Sequence, residues 1–373
     1  MMLLNPGISA SIDETPPYYV RINQLKNGLR PLQVSIEMAA QESLLLLLLF
    51  SLVASSGCTA VPLRPFAARS YAALGDSYAT GAGAGHLIFT PGAGFGCGHY
   101  SDAYPVQVAN STNLDIEEFK NLACGGMTSA TVLCEQVPHI GGSDVVSVTV
   151  SGNEVDFFVV LNECVYHWWP SSTCEAALAK ARRLIESHVL WDNLQALVRG
   201  AREKLEADAL LLVTGYASFF NDQTDICDHV TFSRTRPLDY LTKAKRKTLN
   251  QLVTMLNDVI RASAEVHGAV YVDIDTPFEG HRFCEEGVQE PDLGRDETWL
   301  FNLPSVETDE HVSAQRLRVQ NRNLQEHGKI KMLPNGDFPN METWRVFHPT
   351  SLGHRGIAMV IVDEVLARTT GGK

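Results

Sequence analysis

The amino-acid sequence predicts an α/β fold, a doubly wound sandwich built on a five-stranded parallel sheet with long loops at its carboxyl edge. Three observations support this fold class. Short β-like runs alternate with helical segments through residues 66–370. Three of those runs are almost continuously apolar, as expected of strands that are buried on both faces. The chain has 373 residues, 45% hydrophobic and 20% charged, which is enough material for a large core.

The predicted strands and helices follow one another along the chain. The five strands are expected at residues 70–74, 117–122, 145–150, 209–214 and 269–274. The longest helical pattern covers residues 174–207, where apolar side chains keep the spacing of one helix face. A second covers residues 243–267, and Gly268 is placed to cap its C-terminus.

Two segments are too irregular to belong to this framework. Residues 216–239 and 277–347 are rich in Pro, Gly, Asp and Glu, and each follows a predicted strand. Long loops inside one domain tend to be functional. We therefore expect both segments to overhang the carboxyl edge of the sheet as walls or lids of a site.

Residues 1–60 are expected to be an N-terminal extension and signal peptide. Residues 43–54 read SLLLLLLFSLVA, a length that suits the apolar region of a signal peptide and is short for a membrane span. Small residues follow, so we expect cleavage between Ala54 and Ala60. Gln41 and Glu42 precede the run instead of Lys or Arg, and 37 residues lie ahead of Met38, so we hypothesise that translation begins at Met38. The protein is accordingly expected to be secreted, with no stable membrane span.

Cysteine usage agrees with export. Seven cysteines follow residue 60 and none forms a CxxC pair, so the sequence gives no support for a metal site. Pairing of nearest neighbours gives three disulfides and leaves Cys134 over, although the sequence alone does not prove this connectivity. The expected disulfides are Cys97–Cys124, Cys164–Cys174 and Cys227–Cys284. A glycosylation sequon, which also fits secretion, starts at Asn110.

The charge balance argues against a nucleic-acid partner. The net charge is −13 and the pI is about 5.4, whereas binding to a polyanion requires a basic surface. The basic cluster at residues 243–247 is interpreted as a solvated helix face.

Four polar or glycine-rich blocks stand out. GDSY at residues 75–78, NLACGG at 121–126 and SGNE at 151–154 each follow one of the first three predicted strands. HPTSLGH at residues 348–354 lies near the C-terminus. Because the carboxyl ends of parallel strands meet at one edge, we expect the blocks to converge there.

The residue types in these blocks fit ester hydrolysis, which requires a nucleophile, a base and donors for the oxyanion. Ser77 is the candidate nucleophile and His348 the candidate base. The backbone N–H groups of Ser77 and Gly126 and the side-chain amide of Asn153 are candidate oxyanion donors. The alternative interpretations are that Ser77 caps a helix and that His354 is the base.

Together the four blocks resemble those of the SGNH (GDSL-type) hydrolases, over about residues 66–370. The resemblance implies the flavodoxin-like fold of that family and a serine esterase or lipase that needs no cofactor or metal. It also implies the four namesake roles for Ser77, Gly126, Asn153 and His348. The secreted branch with three disulfides and a Ser–His dyad resembles the chain best.

Four positions depart from the family's pattern. Gly125 stands where serine is common, Ser151 replaces the first glycine of the asparagine block, and Glu154 replaces its aspartate. Three residues before His348, where an acid usually completes a triad, the chain has Arg345. In the similar dyad branch a main-chain carbonyl orients the imidazole. We therefore expect the Arg345 carbonyl to accept from Nδ1–H of His348 and leave Nε2 as the base.

The sequence therefore predicts a secreted, monomeric carboxylic ester hydrolase that forms a serine acyl-enzyme. Small-molecule, lipid and acylated-polysaccharide esters are the candidate substrates. The apolar residues 157–160 and the pair at 168–169 favour lipid or acyl-chain esters, although packing also explains the pair. The alternatives are a non-catalytic carbohydrate- or lipid-binding module on the same fold, a polysaccharide deacetylase, and acyl transfer to a hydroxyl group other than water.

Overall fold

A computed structural model of the chain describes residues 68–90, 96–168, 171–233, 235–288, 290, 296–302 and 344–370. These residues all belong to one compact unit, Arg64–Lys373. The predicted signal peptide, with its apolar run at residues 43–54, and the predicted start at Met38 lie outside the described residues. Within the described ranges, no helix is both long enough and apolar enough to cross a lipid bilayer.

The framework is a sheet of five strands, each parallel to its neighbours. Their order is β2-β1-β3-β4-β5, which confirms the predicted fold class. Strands β3 and β4 are buried along their whole length, which accounts for their nearly continuous apolar sequences. The strands are β1 (Ser70–Gly75), β2 (Glu118–Asn121), β3 (Val145–Thr149), β4 (Leu210–Thr214) and β5 (Val270–Val272).

The helices fill the connections between the strands. Those described are α1 (Ser77–Thr80), α2 (Tyr104–Ala109), α3 (Ser129–Glu135), α4 (Phe157–Leu161), α5 (Cys174–Ile185), α6 (His188–Lys204), α7 (Lys243–Val266) and α8 (Ser351–Thr370). A π-helical turn, Asn162–Tyr166, continues α4, and short 3₁₀ helices lie at Val137–His139 and Thr276–Phe278.

The single helix predicted for residues 174–207 is in fact two helices, α5 and α6. Ser187 interrupts it, because its side chain accepts from the backbone N–H of Leu190 and caps the N-terminus of α6. The predicted end of α7 is confirmed, since Gly268 follows the C-cap residue His267 and has a φ of +67°.

The register of the sheet brings the ends of β1 and β3 together. Gly75 lies level with Thr149, and the N–H of Asp76 donates to the Thr149 carbonyl at 3.0 Å. Gly75 has a φ of +135°, and a Cβ there would lie 2.0 Å from the carbonyl oxygen of Thr149. Only glycine fits at this position, and the turn after β1 therefore lies against the turn after β3.

All three predicted disulfides are present, and Cys134 is free and exposed. Cys97–Cys124 joins the loop after α1 to the turn after β2, while Cys227–Cys284 joins the segment after β4 to the segment after β5. These two bridges therefore hold loops at the carboxyl edge of the sheet.

The basic cluster at the start of α7 is only partly solvated, so its interpretation as a solvated face was wrong for Arg246. That side chain is fully buried and pairs with Asp228 at 3.0 Å. The reason is that the chain between β4 and α7 folds back over the helix start and offers its carbonyls to the guanidinium. These carbonyls belong to Asn221, Thr224 and Leu241.

Candidate active site

Ser77 and His348 are separated by 271 positions in the chain but lie in contact. Ser77 Oγ is 2.7 Å from Nε2 of His348. Ser77 begins α1 directly after β1, and His348 lies just before α8. Neither residue is fully buried. At this distance an imidazole can take the proton of a hydroxyl group that attacks a bound substrate.

The turn that carries Ser77 is held by its acidic neighbour. Asp76 is the N-cap of α1, and its Oδ1 accepts from the backbone N–H of Tyr78 at 2.9 Å. Asp76 therefore has a structural role in this turn. The N–H of Ser77 itself donates to no acceptor among the described residues, so it remains available to a ligand.

Nδ1 of His348 lies in hydrogen-bond contact with the carbonyl of Val346, at 3.3 Å. The prediction that the Arg345 carbonyl fills this role is corrected. Residues 345–348 form a turn in which the Arg345 carbonyl accepts from the backbone N–H of His348 at 2.9 Å. The Arg345 carbonyl also acts on the imidazole, but the hydrogen bond of Nδ1 is to the next carbonyl, that of Val346.

Burial lowers the pKa of His348 from 6.5 to about 4, and the carbonyls of Val346 and Arg345 oppose this effect. The imidazole is therefore neutral at neutral pH. In that state Nδ1 carries the proton that faces the carbonyl, and Nε2 is free to accept a proton from Ser77.

A second contact fixes the loop that carries His348. Tyr78, next to the candidate nucleophile, donates its hydroxyl to the carbonyl of Phe347 at 2.9 Å. The rings of Tyr78 and His348 are 5.2 Å apart. The segment around Ser77 thus holds the main chain beside His348, which the sequence did not indicate.

The predicted oxyanion donors line the same cleft as Ser77 and His348. Gly126 has a φ of +81°, a conformation that favours glycine, and its N–H has no acceptor among the described residues. The side-chain amide of Asn153 donates to the carbonyl of Met127 at 2.9 Å. That bond fixes the amide and leaves its second hydrogen for a ligand.

Of the two departures in the asparagine block, Glu154 has a structural explanation and Ser151 does not. The carboxylate of Glu154 accepts from the N–H of Ser129 at 2.9 Å and from its hydroxyl at 2.5 Å, at the N-terminus of α3. Ser151 is buried with a φ of +115°, and its hydroxyl has no partner in the part of the chain that the structure describes. Ser151 therefore occupies a backbone conformation suited to glycine.

Tyr216 is the site residue that the sequence analysis missed. Its hydroxyl donates to Oδ2 of Asp76 at 2.6 Å and accepts from the N–H of Gly152 at 2.8 Å. Burial raises the pKa of Asp76 to about 7, and the hydrogen bond from Tyr216 opposes this effect. The only sequence signal was its position at the start of a segment predicted to form a wall of the site.

The cleft has a volume of about 400 Å³ and one apolar wall. Phe158 in this wall stacks on Trp344 at 5.3 Å and on Trp168 at 5.9 Å. Trp168 also stacks on Tyr166 and is not part of the lining, and the residue after it lies outside the described residues. The lining side chains of the wall are Met127, Phe157, Phe158, Leu161, Phe219 and Trp344.

The alternative histidine does not reach the nucleophile. His354 is fully buried in α8, where its Nδ1 accepts from the N–H of Tyr104 at 3.3 Å. Burial lowers the pKa of His354 to about 3, so it is neutral. The described ranges hold no group of three or more side chains arranged to bind a metal ion.

Comparison with known proteins relates the chain to lipases. A model of the GDSL-like lipase/acylhydrolase family matches residues 73–355, a range that includes all four sequence blocks. Lipase 1 of Streptomyces coelicolor is 30% identical over 243 residues, which are 63% of this chain and 83% of that protein. A lipase of Streptomyces rimosus is 29% identical over 254 residues, covering 68% of this chain and 87% of the relative.

Two solved structures are similar as well. The crystal structure of the extracellular lipase from Streptomyces rimosus has a TM-score of 0.57 and 25% identity, over 79% of this chain and 99% of that one. The crystal structure of phospholipase A1 from Streptomyces albidoflavus has a TM-score of 0.56 and 26% identity, over 80% and 99%.

Proposed function

Since the chain belongs to the GDSL-like lipase/acylhydrolase family and is an ester hydrolase, we propose that it is a secreted lipase or esterase that works through an acyl-enzyme on Ser77. The observation that carries this proposal is the 2.7 Å contact between Ser77 Oγ and His348 Nε2 at the cleft. His348 acts as a base without a carboxylate partner, with the Val346 carbonyl at Nδ1.

The first half of the reaction acylates Ser77. Its Oγ attacks the acyl carbonyl carbon while its proton moves to Nε2 of His348. The negative charge on the carbonyl oxygen is stabilised by the N–H groups of Ser77 and Gly126 and by the amide of Asn153. When the tetrahedral intermediate collapses, His348 gives its proton to the leaving alkoxide and the acyl group stays on Ser77.

The second half releases the acid. A water molecule attacks the acyl-enzyme and gives a proton to His348, and the same donors stabilise the second intermediate. Its collapse returns the proton to Ser77 and frees the carboxylic acid. The residues of this chain and water supply every group that these steps require.

The apolar wall supports esters of acyl chains as the substrate class. A cleft of about 400 Å³ with aromatic and aliphatic lining is of the size and character that bind small apolar ligands. An acyl chain would cover Phe157, Phe158 and Leu161, whereas an acetyl group would leave most of this wall exposed to water. The lipases and the phospholipase A1 among the similar proteins favour the same class over acetylated polysaccharides.

Export to the cell exterior is supported by three disulfides, by the apolar run at residues 43–54, and by the extracellular lipase among the similar proteins. Sequencing the N-terminus of protein recovered from culture medium would test both secretion and the cleavage between Ala54 and Ala60. Full-length protein retained in the cell would contradict this part of the proposal.

Hydrolysis of a series of p-nitrophenyl esters, from acetate to palmitate, tests the catalytic proposal. Ser77→Ala and His348→Ala should each lower kcat by at least about 1,000-fold, because the nucleophile and base act as one unit. His139→Ala, at an exposed histidine outside the cleft, is the matched control and should leave kcat unchanged. Acyl chains longer than acetate should give higher kcat/KM.

The two parts of the proposal fail separately. Activity that survives Ser77→Ala would contradict the acyl-enzyme mechanism. Equal or higher kcat/KM for acetate than for the longer esters would contradict the assignment of the apolar wall to an acyl chain and favour the deacetylase alternative.

A further inference from the structure

We propose that Tyr216 is a positioning residue for ester hydrolysis, because its hydroxyl fastens the turn that carries Asn153 to the turn that carries Ser77. This inference rests on the proposed roles of Ser77 and Asn153. It adds a residue that lines the same cleft as Ser77 and His348 and whose effect on the reaction is transmitted through the main chain.

One oxygen atom joins the two turns. Tyr216 Oη donates to Oδ2 of Asp76 at 2.6 Å and accepts from the N–H of Gly152 at 2.8 Å. Asp76 is the residue before Ser77, and Gly152 is the residue before Asn153. Ser77 and Asn153 therefore each directly follow a residue that is hydrogen-bonded to the Tyr216 hydroxyl.

Tyr216 is itself fixed in place. Asn257 on α7 accepts from the N–H of Tyr216 and donates to its carbonyl, both at 2.8 Å. The ring packs edge-on against Tyr78 at 4.9 Å and against Phe157 at 6.2 Å, and the residue is 2% exposed. A rigid, packed side chain is what a positioning role requires, since the hydroxyl cannot follow the turns if they shift.

The two hydrogen bonds depend on each other. Asp76 is 2% exposed, so a carboxyl oxygen left without a partner there would be costly. The bond from the Gly152 N–H to the same hydroxyl is partly buried. A Cβ at Gly152 would lie 3.3 Å from the Tyr216 hydroxyl, which shows how closely the main chain approaches. Loss of the hydroxyl would free the main chain before Asn153 and displace its amide from the developing oxyanion.

Tyr216→Phe is the direct test. We expect kcat to fall about 10- to 100-fold with little change in KM, because the lost contact acts on the transition state and not on substrate binding. Tyr71→Phe is the matched control. Tyr71 is a buried tyrosine in β1 whose hydroxyl lies 2.7 Å from Ser147 Oγ, outside the cleft. Loss of that hydroxyl should leave kcat within about twofold of the wild-type value.

A double-mutant cycle separates positioning from a general structural role. Asn153→Ala alone should cost about 100- to 1,000-fold in kcat, the effect of removing one oxyanion donor. If Tyr216 acts through Asn153, Tyr216→Phe should cost less than about threefold in the Asn153→Ala background. Effects that multiply in full, or an unchanged kcat for Tyr216→Phe alone, would overturn the inference.

Gly152→Ala keeps the test available if Tyr216→Phe does not fold. The added methyl group crowds the hydroxyl of Tyr216, so this variant should also lower kcat with little change in KM. A wild-type kcat for folded Gly152→Ala would count against the inference. Ser77→Ala identifies the other source of failure, because activity that survives it contradicts the acyl-enzyme proposal itself.

Discussion

Burial of His348 sets the pH range in which the dyad works. Its pKa is lowered to about 4, so Nε2 can accept a proton throughout the neutral and mildly acidic range. We predict that kcat/KM for p-nitrophenyl butyrate falls on the acidic side of its pH profile with a half-point near pH 4, and not near pH 6.5. A profile with its half-point at about pH 6.5 would contradict this, because it is the pKa of an unperturbed imidazole.

Stability must be measured over the same range, because the same shifts destabilise the fold in acid. His348 and His354 have lower pKa values in the folded than in the unfolded chain, so their protonation favours unfolding as the pH falls from about 6.5 towards 4. Asp76, whose pKa is raised to about 7, has the opposite effect, because its protonated form stabilises the folded chain. This stabilising contribution is lost as the pH rises from about 4 to 7. A circular-dichroism signal recorded at each pH distinguishes titration of the dyad from unfolding.

Ser151 carries backbone strain that one substitution should remove. Its φ of +115° suits glycine, and its buried hydroxyl has no partner among the described residues. We predict that Ser151→Gly raises the free energy of unfolding by about 1 kcal/mol, since the relief of strain exceeds the entropy that glycine adds to the unfolded chain. Urea denaturation measures the change.

Ser143 provides the matched control for this prediction. It is also buried with an unpartnered hydroxyl, but its φ is not positive. Ser143→Gly should therefore lower the free energy of unfolding, because glycine brings the entropic cost without relieving strain. If both variants lower it, the strain assigned to Ser151 is wrong.

At the scale of elements, the sequence located the strands and the turns after them because both have local signals. The apolar runs of β3 and β4 and the Gly-Asp-Ser sequence after β1 can be recognised without knowing the fold. The break between α5 and α6 was missed because apolar side chains keep helical spacing on both sides of it. Only the cap formed by Ser187 marks it, and serine also occurs inside helices.

Two contacts at the site depend on geometry that no local pattern contains. The partner of His348 Nδ1 is decided by which carbonyl the turn at residues 345–348 uses for its own main-chain bond. The contact between Tyr216 and Gly152 exists because β4 lies beside β3, so the residues that follow these strands meet. Motif spacing identifies the blocks, while the order of strands decides which side chains from other blocks support them.

At the scale of the whole molecule, the site is assembled from distant parts of the chain on one sheet edge. The pairing of Ser77 with His348 could be predicted because a parallel sheet collects the ends of its strands and because the family pattern supplied the histidine. Topology alone does not select His348, since His354 lies six residues further on and is buried against α2.

The three disulfides close loops of very different lengths. Cys227–Cys284 spans 57 residues, and main-chain hydrogen bonding between Asn221 and Phe283 at 2.7 Å reinforces that junction. Cys164–Cys174 spans only 10 residues, between the π-helical turn and the start of α5. A cross-link stabilises mainly by restricting the unfolded chain, so a longer loop should contribute more.

Replacing both cysteines of a bridge by alanine should therefore destabilise the protein by about 4 kcal/mol for Cys227–Cys284 and by about 3 kcal/mol for Cys164–Cys174. Cys134→Ala, at the free and exposed cysteine, should change the free energy of unfolding by less than about 0.5 kcal/mol. Urea denaturation of the oxidised proteins measures all three variants. Because both double variants remove the same atoms, a larger loss for the shorter loop would show that native packing, and not chain entropy, determines what these bridges contribute.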